Sequence, residues 1–64
     1  MALTMRQWRM AKEISQEAIA KQLGVHVNTY LNWEKAPEKI SVAHAEKIAE
    51  ILGVPIEDIE FKKA

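Results

Sequence analysis

Apolar residues recur at spacings of three and four along most of the chain, which is typical of amphipathic helices. The clearest case runs from Ser15 to Glu34, where Gly24 separates two short periodic segments. Ser15 is placed to cap the first segment, and Gly24 can end it because glycine adopts a left-handed conformation without a Cβ clash. Two short helices joined by a tight turn are therefore predicted, with these residues facing inward: Ile19, Ala20, Leu23, Val25, Tyr30 and Trp33.

Further helices are predicted on both sides of this pair. Thr4 and Gln7 fit a capping box at the start of a helix that reaches about Lys12. Ser41 is a candidate cap for a helix ending at Gly53, whose apolar positions are Val42, Ala45, Ile48, Ala49 and Leu52. Residues 54–59 are predicted to form one more short helix. The predicted fold is all-α, with five helices in a single domain of residues 1–64.

The outer side of the third predicted helix is not needed for packing against the core. At 100° per residue, Tyr30 and Trp33 share one side, and the other side carries Val27, Asn28, Leu31 and Asn32. An amide donates to adenine N7 while accepting from its N6 group, so the two asparagines are candidates for reading base edges, although asparagine also suits a solvated helix face. Val27 and Leu31 are expected to be exposed beside them, where they can pack against thymine methyl groups.

Composition narrows the classes of function. There is no cysteine, and the two serines both fall at predicted caps. Without a glycine-rich phosphate loop or paired carboxylates around an apolar cleft, no enzyme and no cofactor are expected. His44 has no second histidine or cysteine at ligand spacing, so no metal site is expected. No membrane span or signal peptide is evident, and a cytoplasmic location, on the nucleoid when DNA is bound, is expected.

Charge does not favour nucleic-acid binding, because the nine basic and nine acidic residues give a formal net charge of zero. Residues 1–39 hold six basic and four acidic side chains, so a small positive excess lies in the half that contains the helix pair. The neutral charge keeps a second interpretation open. In it, the same fold is a protein-interaction module, and Val27 and Leu31 face a protein instead of DNA.

Over nearly its whole length the chain resembles the lambda repressor/Cro-type, or XRE-like, DNA-binding domain. The matching elements, in the family's order and with its gaps, are Arg9, Ser15-Gln16, Ile19-Ala20, Leu23-Gly24-Val25, Thr29, Trp33-Glu34, Ile48-Ala49, Leu52-Gly53-Val54 and Ile59. The resemblance implies a compact five-helix domain with helices 2 and 3 as the helix-turn-helix. It also implies a small transcriptional regulator, a repressor or Cro-like protein of phage or host origin, that inserts helix 3 into the major groove of double-stranded DNA.

Individual roles follow from the same resemblance. Arg9 is expected to pair with Glu34. The resemblance implies contacts with the DNA backbone for Gln16 and His26. Apart from the resemblance, backbone contacts are also expected from Thr29, Lys35 and Lys39. The two lysines would supply non-specific attraction, although they would also suit a solvated surface. His26 would serve equally well as a simple helix cap.

Two departures from the family pattern concern turns. Glu13 and Ala36 stand where the family usually has glycine. Either Glu13 takes a strained left-handed conformation or the first turn differs from the family's. Helix 3 is expected to stop by about Lys35, before Pro37. Such domains usually pair on a two-fold symmetric operator. A homodimer is therefore expected, with the apolar C-terminal segment containing Ile56 and Phe61 as a candidate contact.

Overall fold

The computed structural model describes residues 2–61. In that range the chain forms four α-helices, two 3-10 turns and a pair of two-residue strands. In chain order these elements are β1 Leu3–Thr4, α1 Met5–Ala11, α2 Gln16–Leu23, α3 Val27–Lys35, a 3-10 turn Pro37–Lys39, α4 Val42–Leu52, a 3-10 turn Ile56–Asp58 and β2 Ile59–Glu60. The predicted helix pair with its tight turn is α2 and α3.

The predicted caps are present at three helix starts. Thr4 and Gln7 form the capping box, with the Thr4 N–H donating to Gln7 Oε1 at 2.9 Å. The Ser15 hydroxyl oxygen accepts from the backbone of Ala18 at 3.0 Å, and Ser41 does the same for α4. Gly24 ends α2 in the left-handed conformation, as predicted, with φ of +72°. Local backbone chemistry thus defines where these helices begin and where α2 ends.

The core lies between the helices and is closed by β2. Its buried members are Met5, Ile19, Ala20, Tyr30, Ile48, Ala49, Leu52 and Ile59. Partly buried side chains pack around them, including Trp8, Leu23, Val25 and Trp33. Val42 is an exception to the predicted apolar side of α4, because it is 74% exposed at the first position of that helix. A residue in the first turn projects beyond the part of the helix that meets the core.

The predicted fifth helix is wrong. Pro55 is extended, with ψ of 144°, so a helix cannot run through residues 54–55. Only Ile56–Asp58 form a 3-10 turn, and Ile59 is then paired in parallel with Leu3. The indole N–H of Trp8 donates to the Asp58 carbonyl at 2.7 Å. The fold remains dominated by α-helices, but its last segment closes against the N-terminal strand instead of adding a helix.

The two turns that lack glycine adopt different conformations. Glu13 takes a left-handed conformation with φ of +56°, the one positive φ at a non-glycine position in residues 2–61. Its N–H donates to the carbonyl of Met10 at 3.1 Å. Helix α3 instead ends at Lys35, as predicted, and Ala36 has φ of −135° with no left-handed residue. Glu13 therefore takes the left-handed conformation that glycine would favour, whereas Ala36 ends α3 without one.

Candidate nucleic-acid interface

A buried ion pair connects the start and the end of the helical pair to α1. Arg9 Nε lies 2.7 Å from Glu34 Oε2, and the two side chains are only 10% and 7% exposed. The expected pair is thus present. Arg9 Nη1 also donates to the carbonyl of Ile14 at 2.9 Å, so one guanidinium binds both the turn before α2 and the last turn of α3.

Two further polar groups surround the Glu34 carboxylate. Gln16 Nε2 donates to Glu34 Oε1 at 3.1 Å. The Tyr30 hydroxyl is buried near Glu34 and Arg9, although it forms no hydrogen bond with another described residue. Burial, and then the negative charge of Glu34, raise the pKa of Tyr30, so the phenol stays protonated. Hydrogen bonds from Arg9 and Gln16 therefore fix the carboxylate at both of its oxygens.

The pKa values of the pair move in the directions that stabilise both charges. Burial alone raises the pKa of Glu34, but the hydrogen bonds from Arg9 and Gln16, together with the nearby Tyr30 hydroxyl, outweigh it and the pKa falls below its ordinary value. Burial likewise lowers the pKa of Arg9, and the hydrogen bond and charge of Glu34 more than reverse this. Both groups are therefore ionised near neutral pH, and the ion pair holds α3 against α1 and α2.

The outer side of α3 exposes Asn28, Thr29 and Asn32. Val27 and Leu31 are partly buried, so the expectation that both would be exposed is wrong, and Val27 packs against the core. The reason is helix geometry, since Val27 precedes Tyr30 by three residues and lies within the same apolar stripe. The polar part of the predicted base-reading surface is accessible, and its apolar part is narrower than expected.

Two open grooves border α3. The loop-side groove is lined by Thr29, Asn32, Trp33, Lys35, Ala36 and Lys39. The α1-side groove is lined by Arg6, Gln16, Leu31, Glu34 and Lys35. Together they bring four of the five residues expected to contact the DNA backbone next to the outer side of α3, and Lys35 belongs to both grooves.

The fifth such residue, His26, caps α3. Its Nδ1 accepts from the backbone N–H of Asn28 at 3.1 Å, which holds the exposed ring at the start of the helix. His44, on α4, lies 2.8 Å from the Ser41 hydroxyl through Nδ1 and packs against Trp33, with ring centroids 4.8 Å apart. Across residues 2–61, no three His, Cys, Asp or Glu side chains are grouped as metal ligands, and none of the helices has the length and apolarity to cross a bilayer.

Sequence reasoning missed Arg6 and the hydrogen bond from Gln16 to Glu34. Arg6 precedes Arg9 by three residues, so the two arginines are neighbours on one side of α1. Since Arg9 was expected to reach Glu34, that spacing was a usable signal that Arg6 would lie near the same end of α3. The bond to Gln16 had no comparable signal, because it depends on how α2 and α3 cross.

The fold and this surface define a helix-turn-helix protein. The model of the helix-turn-helix family matches residues 5–59, and the chain belongs to that family, in its lambda repressor/Cro-type (XRE-like) form. Membership supports DNA binding in transcription regulation as the general class of function.

Two relatives show how far the similarity extends. The chain is 37% identical over 54 residues to the transcriptional repressor RstR of the cryptic phage CTXphi from Vibrio cholerae, covering 84% of this chain and 49% of that protein. It is 40% identical over 55 residues to an uncharacterized HTH-type transcriptional regulator from Methanocaldococcus jannaschii, covering 86% of this chain and 83% of the relative. The chain thus spans about half the length of the phage repressor. No solved structure gave a significant match.

Proposed function

We propose that the protein is a transcriptional regulator that binds double-stranded DNA sequence-specifically by placing α3 in the major groove. The observation that carries this proposal is the contrast within α3. Its inner side is held by the buried pair of Arg9 and Glu34, while its outer side exposes Asn28, Thr29 and Asn32. A helix fixed on one side and polar on the other suits base readout, which needs side chains held in a defined position.

In this proposal the exposed amides read bases. Asn28 and Asn32 are one turn apart, so each can donate to N7 and accept from N6 of an adenine in neighbouring base pairs. Leu31, half-exposed between them, contacts a thymine methyl group, and Val27 contributes only the edge of its side chain. Each good bidentate pair discriminates against a wrong base by about 1–3 kcal/mol.

Contacts with the DNA backbone set the register of α3. Lys35 and Lys39 line the loop-side groove with Thr29, so a phosphate there meets two cations and a hydroxyl. His26 and Gln16 begin α3 and α2, where exposed backbone N–H groups also attract phosphate. These charges act locally, and the zero net charge of the chain weakens its attraction to DNA at long range.

The regulator acts as a repressor or Cro-like protein. Similarity to a phage protein named as a transcriptional repressor supports repression over activation. We further propose that two copies bind a two-fold symmetric operator with half-sites about 34 Å apart, using the C-terminal segment, where Ile56 is 38% exposed. Sedimentation of the protein alone and with its duplex tests pairing, and a monomer in both conditions would refute it.

Selection from random duplex followed by a salt titration tests DNA binding. The selected duplex supplies half-site sequence and spacing, and the log of its affinity is expected to fall linearly with the log of salt concentration. Failure to detect any complex at low salt would contradict DNA binding and would favour the protein-interaction module. An affinity equal for selected and scrambled duplexes would contradict sequence-specific readout while leaving non-specific binding in place.

A further inference from the structure

We propose that the α1-side groove is a binding site for one phosphodiester of the duplex, and that Arg6 is the residue that completes it. The groove is lined by Arg6, Gln16, Leu31, Glu34 and Lys35. Arg6 is a DNA-contacting residue beyond those that the family resemblance implies. This inference rests on the proposed DNA binding and specifies where the backbone of one strand passes.

The charge of the groove favours an anion despite the neutral chain. The carboxylate of Glu34 is the one acidic group lining it, and that group is bound by the buried guanidinium of Arg9. Arg6 and Lys35 remain as two exposed cations at its rim. The lining residues together with Arg9 therefore carry three positive charges and one negative charge, in contrast to the zero net charge of the whole chain.

Arg6 is available to a ligand. Its side chain is exposed and forms no ion pair or hydrogen bond within the part of the chain that the structure describes. Its neighbour Arg9, by contrast, is buried and committed to Glu34 and Ile14. A guanidinium presents a planar fork of donors that matches two phosphate oxygens, so a free arginine at the rim of a groove is well suited to a phosphodiester.

Gln16 provides a neutral donor in the same groove. An amide nitrogen carries two N–H groups, and Gln16 uses one of them on Glu34 Oε1 at 3.1 Å. The carboxylate can only accept, so it fixes which end of the amide faces it. The second N–H of Gln16 is left for a phosphate oxygen, and the buried ion pair thereby acts as the support that orients this donor.

The position of the groove agrees with the proposed docking of α3. Leu31 lines the α1-side groove and also belongs to the outer side of α3, so a phosphate bound there lies beside the surface that reads bases. Lys35 separates this groove from the loop-side groove. Phosphates held on both sides of α3 would fix its rotation as well as its depth in the major groove.

Salt titrations of Arg6→Ala against wild type test the proposal, with the duplex obtained by selection. Loss of one phosphate contact should reduce the slope of log affinity against log salt by about 0.9. The ratio of the two affinities should accordingly change by about threefold between 50 and 200 mM salt. Lys47→Ala is the matched control, because Lys47 is an exposed cation on α4 outside both grooves, and its slope should equal that of wild type. Arg6→Lys should recover most of the slope.

A neutral methylphosphonate placed at one backbone position after another locates the contact. In wild type, a methylphosphonate at the position that faces this groove should weaken binding. The same methylphosphonate should weaken binding less in Arg6→Ala, where only Gln16 and Lys35 remain to contact the phosphate, while the other sensitive positions keep their effects. Arg6→Ala with the wild-type slope, or with unchanged sensitivity at every methylphosphonate, would overturn the proposal. In both cases wild type still binds the duplex, whereas failure of DNA binding itself would appear as no wild-type complex at low salt.

Discussion

The two sides of α3 differ in how their polar groups are satisfied. On the inner side, Glu34 is bound by Arg9 and Gln16 with the phenol of Tyr30 close by, and almost none of its carboxylate meets water. On the outer side, Asn28 and Asn32 are exposed. A buried polar group without partners would cost several kcal/mol, so the inner side must be complete before DNA arrives. The exposed amides on the outer side are hydrated, so they need no protein partner and are free to bind DNA in the proposed function.

We therefore expect stability and DNA recognition to depend on opposite sides of α3. Substitutions on the inner side should lower the free energy of unfolding. Those on the outer side should change DNA affinity or specificity while the unfolding free energy stays the same.

Arg9→Ala should reduce the free energy of unfolding by about 3–5 kcal/mol, because it leaves the buried Glu34 carboxylate without its countercharge. Denaturant unfolding measures the change. Arg6→Ala, which removes an exposed arginine from the same helix, should change stability by less than about 1 kcal/mol. Equal effects of the two substitutions would remove the distinction between the sides of α3.

Glu34→Gln should give a smaller loss at neutral pH, since an amide oxygen still accepts from Arg9, and the loss should depend on pH. The pKa of Glu34 is lowered in the folded state, so its contribution is fully present above the ordinary value of 4.5 and disappears as pH falls through the folded-state pKa. Unfolding measured from pH 7 downwards should show the two proteins converging in acid. A difference that is constant with pH would contradict an ionised, paired Glu34.

Asn32→Ala should lower discrimination at one base pair by about 1–3 kcal/mol, while the unfolding free energy stays within about 0.5 kcal/mol of wild type. Binding to duplexes substituted at each position measures the first quantity. Lys39→Ala serves as the comparison, because it removes a cation of the loop-side groove and should weaken all duplexes alike. If Asn32→Ala also lowered the affinity for all duplexes equally, the Asn32 side chain would contact the DNA backbone instead of a base.

Glu13→Gly should stabilise the protein by about 0.5 kcal/mol. A left-handed conformation costs a non-glycine residue about 1–2 kcal/mol, and the greater freedom of glycine in the unfolded chain offsets part of that gain. The same substitution at Glu17, inside α2, should instead destabilise by about 1 kcal/mol. The melting temperatures of the two variants and wild type measure these changes. A lower melting temperature for both variants would show that the turn at Glu13 carries no strain.

Sequence reasoning was most successful where the determinants are local. Ser15 and Gly24 define α2 through backbone chemistry, and the inward positions Ile19 and Tyr30 follow from helical spacing, so these features could be predicted without the structure. The prediction of a fifth helix was wrong because Pro55 is extended and because Ile59 pairs with Leu3. That pairing joins residues far apart in the chain, so the local pattern does not indicate it. The partial burial of Val27 depends on the width of the apolar stripe.

The candidate site shows the same division. The pairing of Arg9 with Glu34 came from the family resemblance, and the structure contains it. The place of Arg6 in the α1-side groove and the bond from Gln16 to Glu34 required the crossing of three helices. The roles of Asn28, Asn32 and the backbone-contacting residues stay predictions, because they concern atoms of a partner.

The most direct test of recognition by α3 compares the affinity for the selected duplex with that for a scrambled duplex, in wild type and in the double variant Asn28→Ala/Asn32→Ala. Wild type should prefer the selected duplex strongly. The double variant should unfold with wild-type free energy and bind both duplexes with nearly equal affinity. A double variant that folds normally and keeps the full preference would contradict base reading by the outer side of α3.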